Sequence, residues 1–166
     1  WHHFAFMSVS IVMFGLSLGS VLIFLKPALF RPERTDFHLY VCALGFSLTL
    51  VLSFLVHLWV PFAASASLSG FLSVVITYSA LAVPFTFVGI CIGLALTRFP
   101  DQVGKLYAAD LAGAACGCLL LVAILQFLDG PTAVLAIGTL AALGAVAFSW
   151  RVSSGFLRSV SYGTVF

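Results

Sequence analysis

The sequence predicts an all-α integral membrane protein: a bundle of five transmembrane helices, the third long and kinked at Pro84. Three observations carry that prediction. The 166 residues are 63% hydrophobic and only 7% charged, where a soluble domain carries about 25% charge. Mean hydropathy is +1.23, so the bilayer must be the solvent for most of the chain. The lysines and arginines also fall in the first loop, the third loop and the tail, which five spans put on one side.

The first apolar run covers about Phe4 to Leu25, long enough to cross at ~1.5 Å per residue. Gly15 and Gly19 stand in it at GxxxG spacing, and Lys26-Pro27 ends it. The chain begins at Trp1 rather than methionine, as a processed or truncated chain would. This first run lacks the basic start and the short apolar core of an ordinary signal peptide. The loop from Lys26 to His38 sets Lys26, Arg31 and Arg34 against Glu33 and Asp36.

The second run, about Leu39 to Pro61, ends in Trp59, Pro61 and Phe62, which suits an aromatic interfacial belt. A small, uncharged linker, Ala63 to Ser69, follows. The third run, about Gly70 to Thr97, is long for one span. Pro84 near its middle implies a single tilted, kinked helix, or alternatively two half-helices. Gly89 and Gly93 repeat the GxxxG spacing, and Arg98 closes the run. Pro100-Asp101 reads as a helix start. The fourth run then covers about Lys105 to Leu128, and the turn Asp129-Gly130-Pro131 leads to a fifth, about Thr132 to Trp150. The tail, Arg151 to Phe166, reads as a linker or surface segment.

Five spans put all seven basic residues on one side, in the first loop, the third loop and the tail. By the positive-inside rule that side is the cytoplasm. The N-terminus is then expected outside and the C-terminus inside, in a bacterial inner membrane. The net charge of +2 is too small to argue for nucleic acid. Cys42, Cys91, Cys116 and Cys118 all lie in apolar runs and predict no disulfide framework.

One acid stands inside an apolar run. Asp110 lies five residues past Lys105, roughly 7–8 Å from the helix start. Near a helix N-terminus the macrodipole favours it, and Arg98 and Lys105 are within pairing distance along the chain. A structural ion pair is one reading. The other is an ion, proton or substrate site built from Asp110, Tyr107, Arg98 and Lys105. Ala109, Gly113 and Gly117 recur every fourth residue, so the fourth helix is expected to pack closely on the third (Gly89, Gly93) or the first (Gly15, Gly19). Such stripes also serve oligomers.

His57, beside Trp59, reads as an interfacial residue; as a metal or pigment ligand it stands alone. His2 and His3 have no partner at ligand spacing. Cys116 and Cys118 point to different helix faces, so no metal site and no cofactor are expected. There is no Walker motif, no dinucleotide or adenosyl glycine loop, no GxSxG and no HExxH. No catalytic residue can therefore be assigned.

The run LALTRFPDQVGKLYAADLAGAACGCLLLVAIL, preceded by AVPFTFVGICIG, resembles the membrane part of bacterial membrane-bound spermidine/spermine synthase-like proteins (polyamine aminopropyltransferases). Arg98, Gly104, Tyr107, Asp110, Leu111, Gly113 and Gly117 carry the match, with the Asp129-Gly130-Pro131 turn, and it covers roughly Pro84 to Pro131. The resemblance implies a membrane domain ahead of a cytoplasmic Rossmann-like catalytic domain. Aminopropyltransferase activity would belong to this chain only if such a soluble domain follows the tail. The task implied for the membrane part is anchoring or small-molecule handling, with Asp110 the counter-charge for a polyamine. Two alternatives remain: a non-enzymatic accessory subunit of a respiratory or photosynthetic membrane complex, and part of a secondary transporter with a helix broken near Pro84 and Gly89. The expected partners are the lipid bilayer and other membrane subunits or a second copy of the chain.

Overall fold

The computed structural model describes the backbone of residues 2–59 and 68–163 and the side chains of residues 6–59 and 68–150. Among the described residues the chain is helix joined by short turns, with no strand. Its main elements are α1 (His2–Leu25), α2 (Thr35–Trp59), α3 (Leu68–Arg98), α4 (Val103–Phe127) and α5 (Gly130–Gly163). Each holds a stretch long and apolar enough to cross a membrane, with mean hydropathies between 1.9 and 2.3. Trp1, Pro61, Phe62 and most of the expected linker lie outside the described residues, as do the side chains of Arg151 and Arg158.

Two one-turn 3-10 helices, Pro32–Arg34 and Pro100–Gln102, start α2 and α4. Each begins at a proline, whose fixed φ and missing N–H suit the first helical position. At the start of α5, Thr132 donates its hydroxyl to the Asp129 carboxylate at 2.6 Å, and the Asp129 carbonyl accepts the Ala133 N–H at 3.0 Å.

Two expectations change. First, α3 is one continuous helix through Pro84, so the half-helix alternative is not what this chain adopts. Proline removes one ladder hydrogen bond, but Pro84 is fully buried and the neighbouring helices hold the segment. Second, α5 runs to Gly163, so the backbone of the stretch expected as a linker or surface segment is helical that far. That stretch contains no proline, and its interior glycine, Gly155, costs only about 1 kcal/mol, so the ladder carries on to Gly163.

The helices pack out of chain order. α3 lies between α1 and α2, and α5 covers the far side of α2. The row is therefore α1, α3, α2, α5. The α1–α3 crossing is made by glycines. A Cβ on Gly19 would run into the Thr86 carbonyl oxygen, and one on Gly89 into the Leu16 carbonyl oxygen. A Cβ on Gly15 would sit 2.6 Å from the Ala82 carbonyl oxygen. Ser20 Oγ donates to Leu16 O at 3.1 Å and reaches Gly89 O across the crossing at 3.4 Å. On the other flank, Ser47 donates to the Gly138 carbonyl of α5 at 2.8 Å. Small residues and short polar bonds hold this bundle because lipid offers no hydrophobic drive between helices.

The fourth helix departs from expectation. No residue of α4 is buried, and nothing lies within 4 Å of a Cβ built on Gly113 or Gly117. Within this chain the Ala109, Gly113 and Gly117 stripe packs on neither α3 nor α1. α4 touches α3 and α5 only slightly. The spacing that fits Gly15, Gly19, Gly89 and Gly93 to the α1–α3 crossing has no helix against it on α4.

The packed core lies at the basic end of the row. Ile23, Leu39, Cys42, Ile90 and Leu94 are buried together there, with Phe30, Phe87, Phe99 and Phe148 around them. At the opposite end, where α2 finishes and α3 and α5 begin, the buried described residues are small or short and polar: Ser53, Gly70, Ser73, Thr77 and Ala133.

Candidate functional site

Two of the four residues of the expected polar cluster share a groove. Tyr107 and Asp110, one turn apart on α4, line a groove of about 310 Å³ whose other wall is Cys91, Ile92, Ala95 and Leu96 of α3. Asp110 is exposed. Arg98 donates through Nη2 to the Phe30 carbonyl at 2.5 Å, tying the end of α3 to the α1–α2 loop. Lys105 is exposed. Among the described residues no ion pair joins Asp110 to either base. An exposed carboxylate without a partner contributes little to folding. Asp110→Asn is accordingly expected to shift the unfolding free energy by less than about 0.5 kcal/mol, read by thermal denaturation in detergent.

The larger feature lies at the opposite end of the bundle. A cavity of about 570 Å³ opens between α1, α2, α3 and α5. Its polar wall is Ser8 of α1, Ser53 and His57 of α2, and Thr77 and Tyr78 of α3; Leu50, Phe54, Leu81 and Val134 complete it. Ser53 and Thr77 are buried. Thr77 Oγ1 is shielded from solvent and has no hydrogen-bond partner. Tyr78 donates its hydroxyl to Met7 Sδ at 3.5 Å. Counting along the helices, His57 lies about 3 Å from the end of α2, and Thr77 about 13 Å below the start of α3. The cavity therefore runs from the mouth of the bundle toward mid-depth.

His57 thus has a place beyond that of a belt residue. Sequence reasoning missed Ser53, Thr77 and Tyr78 altogether. The available signal was hydroxyls set inside apolar runs at similar distances from the same bundle end. The site offers hydrogen-bond donors and acceptors in an apolar chamber. Among the described residues no hydrogen bond joins a lining hydroxyl to His57. Among the described residues no three of His, Cys, Asp and Glu come together as metal ligands.

Fold and cavity together define a helical membrane protein whose bundle is packed at one end and chambered at the other. Comparison with known proteins finds no matching family model, no curated relative and no similar solved structure.

Proposed function

We propose that this chain is a membrane domain that binds a small molecule inside the bilayer, the handling role implied by the resemblance to spermidine synthase-like proteins. The observation that carries the reading is the cavity of about 570 Å³ between α1, α2, α3 and α5, whose wall sets Ser53, His57 and Tyr78 among Leu50, Phe54, Leu81 and Val134. Ligand chambers of this kind are about 300–1,000 Å³ and mostly apolar, with a few placed polar groups. The proposed setting is a bacterial cytoplasmic membrane with the N-terminus outside. Supporting it, Lys26, Arg31, Arg34, Arg98 and Lys105 all stand at the packed end. The cavity then faces the outer side.

The test is a filled cavity. Wild-type chain, extracted from its source membrane in mild detergent, should carry close to one equivalent of a small molecule, detected by mass spectrometry of the denatured extract. Leu81→Trp, which places an indole in the chamber, should carry none. Equal amounts in both would sink the reading.

A second reading, a subunit of a larger membrane assembly, is supported by α4. A 25-residue helix with no buried residue and an open Gly113–Gly117 stripe is shaped to receive another transmembrane helix.

A further inference from the structure

Resting on the reading that α4 receives another transmembrane helix, we infer that this helix belongs to a different polypeptide and carries a lysine or arginine inside its apolar span, set to pair with Asp110.

Depth decides that Asp110 needs a counter-charge. The 25 residues of α4, Val103–Phe127, make ~37 Å of helix with the midpoint at Ala115. Asp110 lies ~7.5 Å from that midpoint, while the hydrocarbon core reaches ~15 Å to either side. Lys105, at ~15 Å, stands at the edge. The carboxyl is therefore inside the bilayer, and it is exposed there. Among the described residues it has no hydrogen bond and no ion pair. Arg98 is engaged by the Phe30 carbonyl, and Lys105 stands ~140° away round the helix. Acids at such depth pair with another group or face a bundle interior. Within this chain Asp110 does neither.

The surroundings decide what supplies that charge. Gly113 and Gly117 follow Asp110 on the same helix face, and nothing lies within 4 Å of a Cβ built on either. A helix backbone can approach closely there, as α1 and α3 approach at Gly19 and Gly89. A long side chain from such a helix reaches the α3–α4 groove of about 310 Å³, where Asp110 shares the wall with Cys91, Ile92 and Ala95 and no lining residue is basic. A second copy of this chain does not fill the role. Its own Asp110 would bring like charge to the same place, which is unfavourable. Every lysine and arginine of this sequence stands at a helix end, in a loop or beyond the fifth span. The Lys105 of a parallel copy would lie at the bilayer edge, where its amine reaches water. The base that meets Asp110 in hydrocarbon therefore comes from another sequence.

The test reconstitutes the full chain in phosphatidylcholine vesicles with synthetic transmembrane helices of alanine and leucine that differ in one mid-span residue: leucine, lysine or glutamate. Association is read by energy transfer from the labelled peptide to a dye on the C-terminal tail. The lysine peptide is expected to bind at least about tenfold more tightly than the leucine peptide, the worth of a hydrogen bond between charged groups. The glutamate peptide should bind no better than leucine. Asp110→Asn should remove the advantage of lysine. Asp110→Lys should transfer it to the glutamate peptide, a reversal that a general disturbance of the helix does not produce. Equal binding of the lysine and leucine peptides overturns the partner class while the docking reading stands. A lysine advantage that survives Asp110→Asn overturns the assignment of Asp110 as the counter-charge. Failure of all three peptides to associate overturns both the inference and the docking reading.

Discussion

Gly19→Leu is expected to destroy the α1–α3 crossing and cost at least about 3 kcal/mol, the upper range for overpacking. The reason lies in what the new side chain meets. Its Cβ alone runs into the Thr86 carbonyl oxygen and comes within 2.7 Å of Ile90 N and 2.9 Å of the Gly89 carbonyl carbon. All three are backbone atoms, so no rotamer change relieves the clash and the helices must separate. Separation also breaks the reach of Ser20 Oγ to Gly89 O. Gly93 behaves differently, because the close contact of a Cβ there is with the end of the Ile23 side chain at 2.6 Å, while the Ser20 backbone stays at 3.6 Å. Gly93→Ala should be much milder. Unfolding by sodium dodecyl sulfate titration in mixed micelles reads both. Gly113→Leu is the matched control. Surrounded by open space, it should leave the isolated chain as stable as wild type. In native membranes it should abolish co-purification of a helical partner if α4 docks one; an unchanged set of co-purifying subunits would remove the accessory-subunit reading.

Leu94→Ala is expected to cost about 2 kcal/mol. Leu94 is 1% exposed and sits where Ile23, Leu39, Cys42 and Ile90 converge from three helices. In a soluble core such a truncation costs about 2–5 kcal/mol, part of it transfer from water and part the cavity left behind. In a bilayer the separated helices remain in lipid, so the transfer part largely vanishes. The cavity part persists, because the facing side chains lose dispersion partners. The same detergent titration measures it. Val122→Ala, on the exposed α4, should show no change. A loss as large as 4–5 kcal/mol at Leu94 would mean that unfolding exposes this end to water.

The spans were legible because bilayer thickness writes itself into the length of apolar runs. Neighbour relations were not, because lipid-facing and helix-facing residues can both be leucine. That is why Gly19 and Gly113 look alike in sequence and differ completely in surroundings. Asp110 drew attention as the lone acid in an apolar run, yet local sequence distance did not determine its partners. Arg98 spends its guanidinium on Phe30, 68 residues away. Thr77 was invisible for the opposite reason: a threonine in an apolar helix ordinarily bonds its own backbone, and only the absence of that bond marks it.

Placing α3 between α1 and α2 has a consequence for synthesis. The first two spans to leave the ribosome are joined by a short loop but have little surface for each other. Both of their main partners lie downstream. Between completion of Trp59 and of Arg98, roughly 2–8 s pass at about 5–20 residues per second. For that interval the first hairpin stands open in the membrane, with Gly15 and Gly19 unfilled. The third span must enter the gap rather than add to an edge, so the order of insertion and the order of assembly differ.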